Sequence, residues 1–319
     1  MSNKTIYQEF CKKEENLLIF FNDWWLDAVA GKDYWDVVIS GNEHEIYGVL
    51  PYYIPTNNVI KMPSLTPYLG PYIKYPKDQK YATKIAHEHK TMEDLINKLP
   101  NFKYFNQSCN IYFTNWLPFY WRGFKQSTKY TYILDNIIDT DSNWKKLQGN
   151  IKREIKKAQK NVQIKTDLEL DKFLELVVLT FRRQNKKLPY EENLLYRIDN
   201  ICKQKNKRKI FYAVDAKNRI HAAIYIIWDN HYAYYLVGGS DPELRTSGAK
   251  SLLIWEAINF ASSYVNKFNF EGSMIHSIEK FFRAFGAQQV PYFVIHKDTR
   301  KKGKKALDLV IGNLPKLKA

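Results

Sequence analysis

Cysteine is the scarcest residue of this chain: three in 319 positions, Cys11, Cys109 and Cys202. They are odd in number and far apart, so they outline neither a disulfide framework nor a zinc knuckle, and no metal site is expected. Such sparing use fits a reducing compartment, and the expected location is cytoplasmic. Long hydrophobic runs are missing as well. No apolar stretch approaches the roughly 20 residues that a membrane span needs. The opening segment MSNKTIYQEFCKKEEN mixes both signs of charge and is too polar for a secretory signal. Acidic residues are in deficit, with 33 Asp plus Glu against 49 Lys plus Arg and a formal charge of +16. Codon bias toward lysine produces such an excess on its own. Read as function, it favours phosphates, nucleic acid or an anionic membrane surface as partners.

What the chain does have is apolar and aromatic surface. Hydrophobic residues make up 45%, and 23 Tyr, 18 Phe and 8 Trp bring aromatics to 15%. This is the composition of a globular protein. The length suggests two domains with a sizeable core. Aromatics at this density suit the walls of clefts as well as cores.

Along the chain, LLIFFNDWWLDAVA (17–30) reads as an amphipathic helix. WDVVIS and EIYGVLPYYI alternate as two strands around Gly41-Asn42. KMPSLTPYLGPY (61–72) holds three prolines and a glycine among aromatics, and reads as an apolar loop. YATKIAHEHKTMEDLINKLP is a helix stopped by Pro100. YFNQSCNIYF and KYTYILDN are strand candidates.

A second unit begins near residue 141. DSNWKKLQGNIKREIKKAQKN reads as one basic helix capped by Asp141 or Ser142. Two more helices follow, then three strands: KIFYAVDA, RIHAAIYIIWD and HYAYYLVGGS. Short turns at Lys217-Asn218 and Asp229-Asn230 make them an antiparallel meander. GAKSLLIWEAINFASSYV is a helix, KFNFEG a strand, SIEKFFRAFG a helix with Gly286 as its C-cap, and PYFVIHK a last strand. The expected units are residues 1–140, 141–296 and a basic tail over 297–319.

Three constellations carry chemistry. In LVGGSDPELRTSGAK a strand ends at Gly238-Gly239, and a loop carries Arg245, Gly248 and Ala249 into a helix. Arg-x-x-Gly-Ala before a helix is a recipe for an anion cradle, because free N–H groups and the helix dipole both favour a phosphate. Any loop entering a helix also wants glycine. Tyr235 stands on the strand beside it, as core or as cleft wall. In FNFEGSMIHSIEKFFRAFGA, Glu271 ends a strand that should lie beside the one ending in Gly239. It is a candidate general base, or an acceptor for turn amides. Ser273 can cap the next helix, and Arg283 in that helix is a candidate oxyanion partner or a surface cation. Finally, Lys152, Lys156 and Lys160 at i, i+4 and i+8 form a cationic stripe. KQKNKRK and RKKGKK add two more clusters, solvated faces or a polyanion site.

This order of blocks resembles the GNAT N-acyltransferase fold, and more closely its FemAB-like branch. NIKREIKKAQKN resembles that family's Lys/Arg-x-x-Ile-x-Lys-Ala helix, and LTFRRQNKKLPY its Thr-x-x-Arg segment through Thr180 and Arg183. YYLVGGSDPELRTSGAKSLLIWEAI and FNFEGSMIHSIEKFFRAFGA resemble its two most distinctive blocks. FNDWWLDAV and MPSLTPYLGP resemble its opening Trp motif and aromatic loop. The resemblance implies an α+β fold of two tandem GNAT-like domains, each a mostly antiparallel sheet flanked by helices. It implies transfer of an aminoacyl group from aminoacyl-tRNA to an amine of a cell-surface precursor, peptide or metabolite, with no tightly bound cofactor. Site residues then follow by position: Glu271 and Arg283 in catalysis; Arg245, Gly248, Ala249, Gly239 and Tyr235 on the donor; Trp25, Lys32, Tyr68 and Arg183 on the acceptor; Lys152, Lys156 and Lys160 on tRNA.

Two departures stand out. Phe282 occupies the place of the lysine thought to steady the family's transfer intermediate, with Arg283 next to it. Trp25-Leu26-Asp27-Ala28-Val29 replaces the family's Trp-x-x-x-Lys, leaving Lys32 as the nearest cation. Two other readings share the scaffold. One is an acyl-CoA-dependent N-acyltransferase acting on an amino sugar or peptide amine, although Lys250 stands where its cradle needs a third small residue. The other is a non-catalytic RNA- or membrane-surface-binding protein.

Overall fold

The computed structural model describes residues 1–272 and 274–300. Ser273, the expected cap, and most of the basic tail, from residue 301 on, lie outside the described residues.

The helices are α1 (Asn3–Lys13), α2 (Asp23–Ala30), α3 (Tyr81–Asn97), α4 (Leu117–Trp121), α5 (Thr140–Lys146), α6 (Gly149–Gln159), α7 (Leu170–Arg182), α8 (Glu192–Gln204), α9 (Ala249–Ala261) and α10 (His276–Arg283). The strands are β1 (Trp35–Gly41), β2 (Ile46–Thr56), β3 (Val59–Lys61), β4 (Tyr72–Ile73), β5 (Tyr104–Ser108), β6 (Lys125–Asp135), β7 (Gln163–Thr166), β8 (Arg208–Val214), β9 (Ile220–Trp228), β10 (Tyr232–Ser240), β11 (Lys267–Asn269) and β12 (Gln288–Asp298).

All twelve strands join in one sheet, ordered β1-β2-β3-β5-β12-β6-β11-β10-β9-β8-β7, with β4 paired to β2 beside that path. Pairing is antiparallel except at β3–β5 and β10–β11. The expected meander is β8–β9–β10, and β11 lies beside β10 as expected. The fold is therefore α+β, with a mostly antiparallel sheet flanked by helices. The two halves of this sheet meet edge to edge, because β12 returns from the C-terminal half to pair with both β5 and β6.

Strand alternation sorts the core by face. One face packs Phe20, Trp25, Tyr68, Tyr225, Tyr234 and Tyr292 under α1, α2, α7 and α8. The opposite face packs Ile224, Tyr235, Phe268, Phe270, Phe282 and Phe285 against α6, α9 and α10. Under α3 and α4, a third cluster centres on Leu50, Phe105 and Phe119. Helical spacing explains the contacts. In α6, Ile151, Ile155 and Ala158 point inward, while Lys156 and Lys160 face water. Each such isoleucine stabilises by about 2 kcal/mol.

Three expectations change. The helix expected over 17–30 is split into a 3₁₀ turn, Ile19–Phe21, and α2, because Asn22 is extended. The break lets the Ile19 N–H donate to the Asp229 carboxylate at 3.0 Å. The basic helix expected from 141 is also two helices. Leu147 is extended and buried between them, and the Gln148 N–H donates to the Ala284 carbonyl at 2.9 Å, docking the bend against the end of α10. The cap is neither Asp141 nor Ser142: Asp139 Oδ1 accepts from the Ser142 N–H at 2.9 Å.

Candidate functional site

The site grows from a fork in the sheet. β10 and β11 run parallel over Tyr232–Tyr234 and Lys267–Asn269, then part. β10 continues to Ser240, with a bulge between Tyr235 and Val237 that leaves Leu236 without a partner on β9. The other chain turns sharply, with Glu271 and Gly272 both in left-handed backbone at φ +63°. Gly272 is obligatory, since a Cβ there would come within 2.1 Å of the Tyr130 carbonyl oxygen. Glu271 has no such excuse. A non-glycine residue in this region costs about 1–2 kcal/mol, so the surroundings must hold it there. They do so through Asn269, whose buried Oδ1 accepts from the Glu271 N–H at 2.9 Å and from the Thr131 hydroxyl at 2.6 Å.

Alternation sends Phe270 to one face and Asn269 to the other. The Glu271 carboxyl reaches the latter face, where burial raises the pKa values of Tyr68, Tyr234 and Tyr292 and the Glu271 charge adds to the rise. Its Oε1 is sealed from solvent and has no hydrogen-bond partner among the described residues. Burial pushes its pKa well above the usual carboxylate range, and the Asp229 carboxylate pushes it further. Asp229 is fixed by four donors: the Tyr234 hydroxyl at 2.7 Å and the N–H groups of Ile19, His231 and Tyr232. A sealed carboxyl oxygen without a partner needs an explanation, and strongly perturbed acids concentrate at functional sites.

The second part of the site lies where β10 ends. A cleft of about 230 Å³ is lined by Thr180, Arg183, Ser240, Arg245, Lys250 and Phe281, among others. Three cations thus converge beside the N-terminus of α9. Two glycines shape it for a reason other than an open cradle. A Cβ on Gly239 would meet the backbone of Leu176 at 2.3 Å, so this glycine lets α7 cross β10 closely. Gly248 has φ +81°, and a Cβ there would meet the Glu154 carbonyl oxygen at 2.3 Å. It lets α6 approach. The Glu154 carboxylate accepts from the Ser251 hydroxyl in the first turn of α9. Ala249 is buried, and its N–H reaches Ser247 Oγ at 3.3 Å. Tyr235 lies under Lys250, whose Nζ stands 5.7 Å from the ring centroids of both Tyr235 and Phe281.

The remaining candidates scatter. Arg283 does not meet Glu271. It is exposed on α10 and pairs with Glu279 at 2.7 Å, which in turn accepts from the Tyr132 hydroxyl on the face opposite Tyr68. Trp25 is fully buried, with its indole N–H donated to Thr66 Oγ1 at 3.0 Å. Lys32 is exposed and offers its carbonyl to Lys4. Tyr68 is buried beside Glu271, stacked edge-on to Phe20 and Tyr292. Arg183 lies in the basic cleft. Lys152 bends back to the Lys145 carbonyl, while Lys156 and Lys160 project freely into water on α6. Sequence reasoning passed over Asp229, Asn269, Thr131 and Tyr292. Asp229 read only as a turn residue, and the turn residues of the meander were the one signal that could have singled it out.

Residues 145–270 match the family model described as Acetyltransferase (GNAT) domain. No curated protein matches the sequence. By fold, the chain is similar to FemX, with TM-score 0.65 and 13% identity over 97% of this chain and 98% of that one. It is also similar to L-PGS from Bacillus licheniformis, with TM-score 0.55 and 10% identity over 96% and 95%. A tandem GNAT protein from the clavulanic acid biosynthesis pathway gives TM-score 0.52 and 9% identity over 94% of both chains. Residues 145–270 thus match a GNAT domain model, and the whole chain has a fold like that of FemX and of the tandem GNAT protein. Among the described residues no helix is long and apolar enough to cross a membrane.

Proposed function

We propose that this protein is an N-acyltransferase that draws an aminoacyl group from aminoacyl-tRNA and places it on an amine. The neutral acceptor amine enters the fork between β10 and β11 and attacks the ester carbonyl as Glu271 takes a proton from its nitrogen. The carbonyl oxygen becomes anionic and is met by the backbone of the bulge at Leu236. Collapse breaks the ester C–O bond, and the departing ribose hydroxyl takes back a proton from Glu271. Positioning supplies most of the rate, because the ester is already activated.

One observation carries the choice of donor. Where a pyrophosphate would need open backbone, Gly248 is packed against Glu154 and the third cradle position is Lys250. Arg183, Arg245 and Lys250 instead offer separate cations to phosphodiesters, and the lysines of α6 extend that surface. A second reading, acyl-CoA as donor, is favoured by the Arg245-x-x-Gly248-Ala249 order and by the tandem GNAT neighbour described as being without AcCoA. Binding of charged tRNA, uncharged tRNA and acetyl-CoA at near-physiological salt separates the two, because non-specific charge is screened there. Preference for charged tRNA without CoA binding supports the first. Tight acetyl-CoA binding with salt-sensitive tRNA binding overturns it.

A further inference from the structure

At the opposite end of β10 from the basic cleft lies a second hollow, of about 280 Å³. Its walls include Phe21, Tyr72, Tyr112 and Phe113, and it is also lined by Glu88 of α3 and by His231 just before β10. Two polar groups there are unusual. Glu88 is 91% buried, being 9% exposed. Its carboxylate accepts from the Tyr75 hydroxyl and from Asn115 Nδ2 at 3.1 Å, both neutral donors. No cation pairs with it among the described residues; Lys74, between the lining residues Ile73 and Tyr75 in sequence, pairs with Glu14 at 3.1 Å. His231 Nε2 is sealed and has no hydrogen-bond partner.

A buried carboxylate held only by neutral donors is left without a counter-charge, a costly state that a bound cation relieves. Aromatic walls favour a cation with an apolar body, through both area and ring quadrupoles. We propose that this hollow is a binding site for a small primary amine with an apolar or aromatic body, its ammonium on Glu88 and its body against the aromatic walls and the His231 ring. The site is separate from the fork, but not isolated from it. The Tyr112 hydroxyl meets the Tyr232 hydroxyl at 2.5 Å, and Leu18 and Phe21 of its wall flank Ile19, which donates to Asp229.

The test uses the full chain and three probes: phenethylamine, 3-phenylpropionate and their mixture. Calorimetry should show phenethylamine binding in preference to the carboxylate by at least about tenfold, the scale of one desolvated charge pair. Glu88→Gln, checked for an unchanged melting temperature, should lose that preference, and His231→Ala should weaken phenethylamine severalfold. Equal binding of both probes by the wild type, or no binding, overturns the proposal without any variant. So does undiminished phenethylamine binding to Glu88→Gln. None of these readouts depends on transfer activity.

Discussion

The two faces of the sheet at the fork carry different chemistry, although one twenty-residue block, 268–287, supplies both. On the face shared with Tyr68, Tyr234 and Tyr292, half-buried Glu271 has its Oε1 sealed and unpartnered and is held in left-handed backbone. On the other, Arg283 is exposed, and its guanidinium is satisfied by Glu279 one helical turn away. The difference teaches that an acid and a base close in sequence need not share a site. A strand and a helix distribute their side chains by different periods, and the sheet between them is a wall.

The comparison can be broken most severely at the turn that creates it. Gly272→Ala places a methyl on the Tyr130 carbonyl in a conformation that disfavours it. A loss of about 3 kcal/mol or more is expected in denaturant unfolding. Next in size is the direct contrast. Glu271→Gln should lower kcat/KM by about 100-fold or more while the protein stays folded, and Arg283→Ala should change it by less than about threefold. Comparable losses in both would place the two groups in one site after all. Arg245→Ala should weaken donor binding by about tenfold with little change in kcat, measured by separate titration of donor and acceptor.

The smallest effect is one of pH. Burial raises the Glu271 pKa above its ordinary value near 4.5. Above that pH the folded state holds a proton that the unfolded chain releases, so the contribution is complete below about 4.5 and fades as pH rises toward the raised value. Wild-type stability should therefore fall relative to Glu271→Gln across that window, and transfer should rise with pH on a limb that the variant lacks. Parallel stability curves for the two proteins would refute the shift.

Much of the fork was legible beforehand. The meander, the strand beside β10 and the glycines at 239, 248 and 272 follow from alternation and turn chemistry, which are local. The purpose of those glycines was not. Gly239 and Gly248 read as an open phosphate cradle, yet each accommodates a helix that comes from elsewhere in the chain. Trp25 read as a binding residue and is a core residue, because the break at Asn22 turns its helix inward. Asp229 was hidden for a related reason: its partners come from residues 19, 231, 232 and 234, and the first is 210 positions away. Pairing over such distances leaves no periodic trace.

The return of β12 between β5 and β6 has a consequence for how the chain comes into being. During synthesis, β1 to β6 leave the ribosome with one edge of β6 awaiting β11 and with two further edges, one on β5 and one on β6, awaiting β12. The latter two stay unmatched until residues 288–298 follow. A strand pairing that spans most of the chain is slow to form, and exposed edges invite the wrong neighbours meanwhile. The nascent first half must wait, unfinished, for its last strand to arrive.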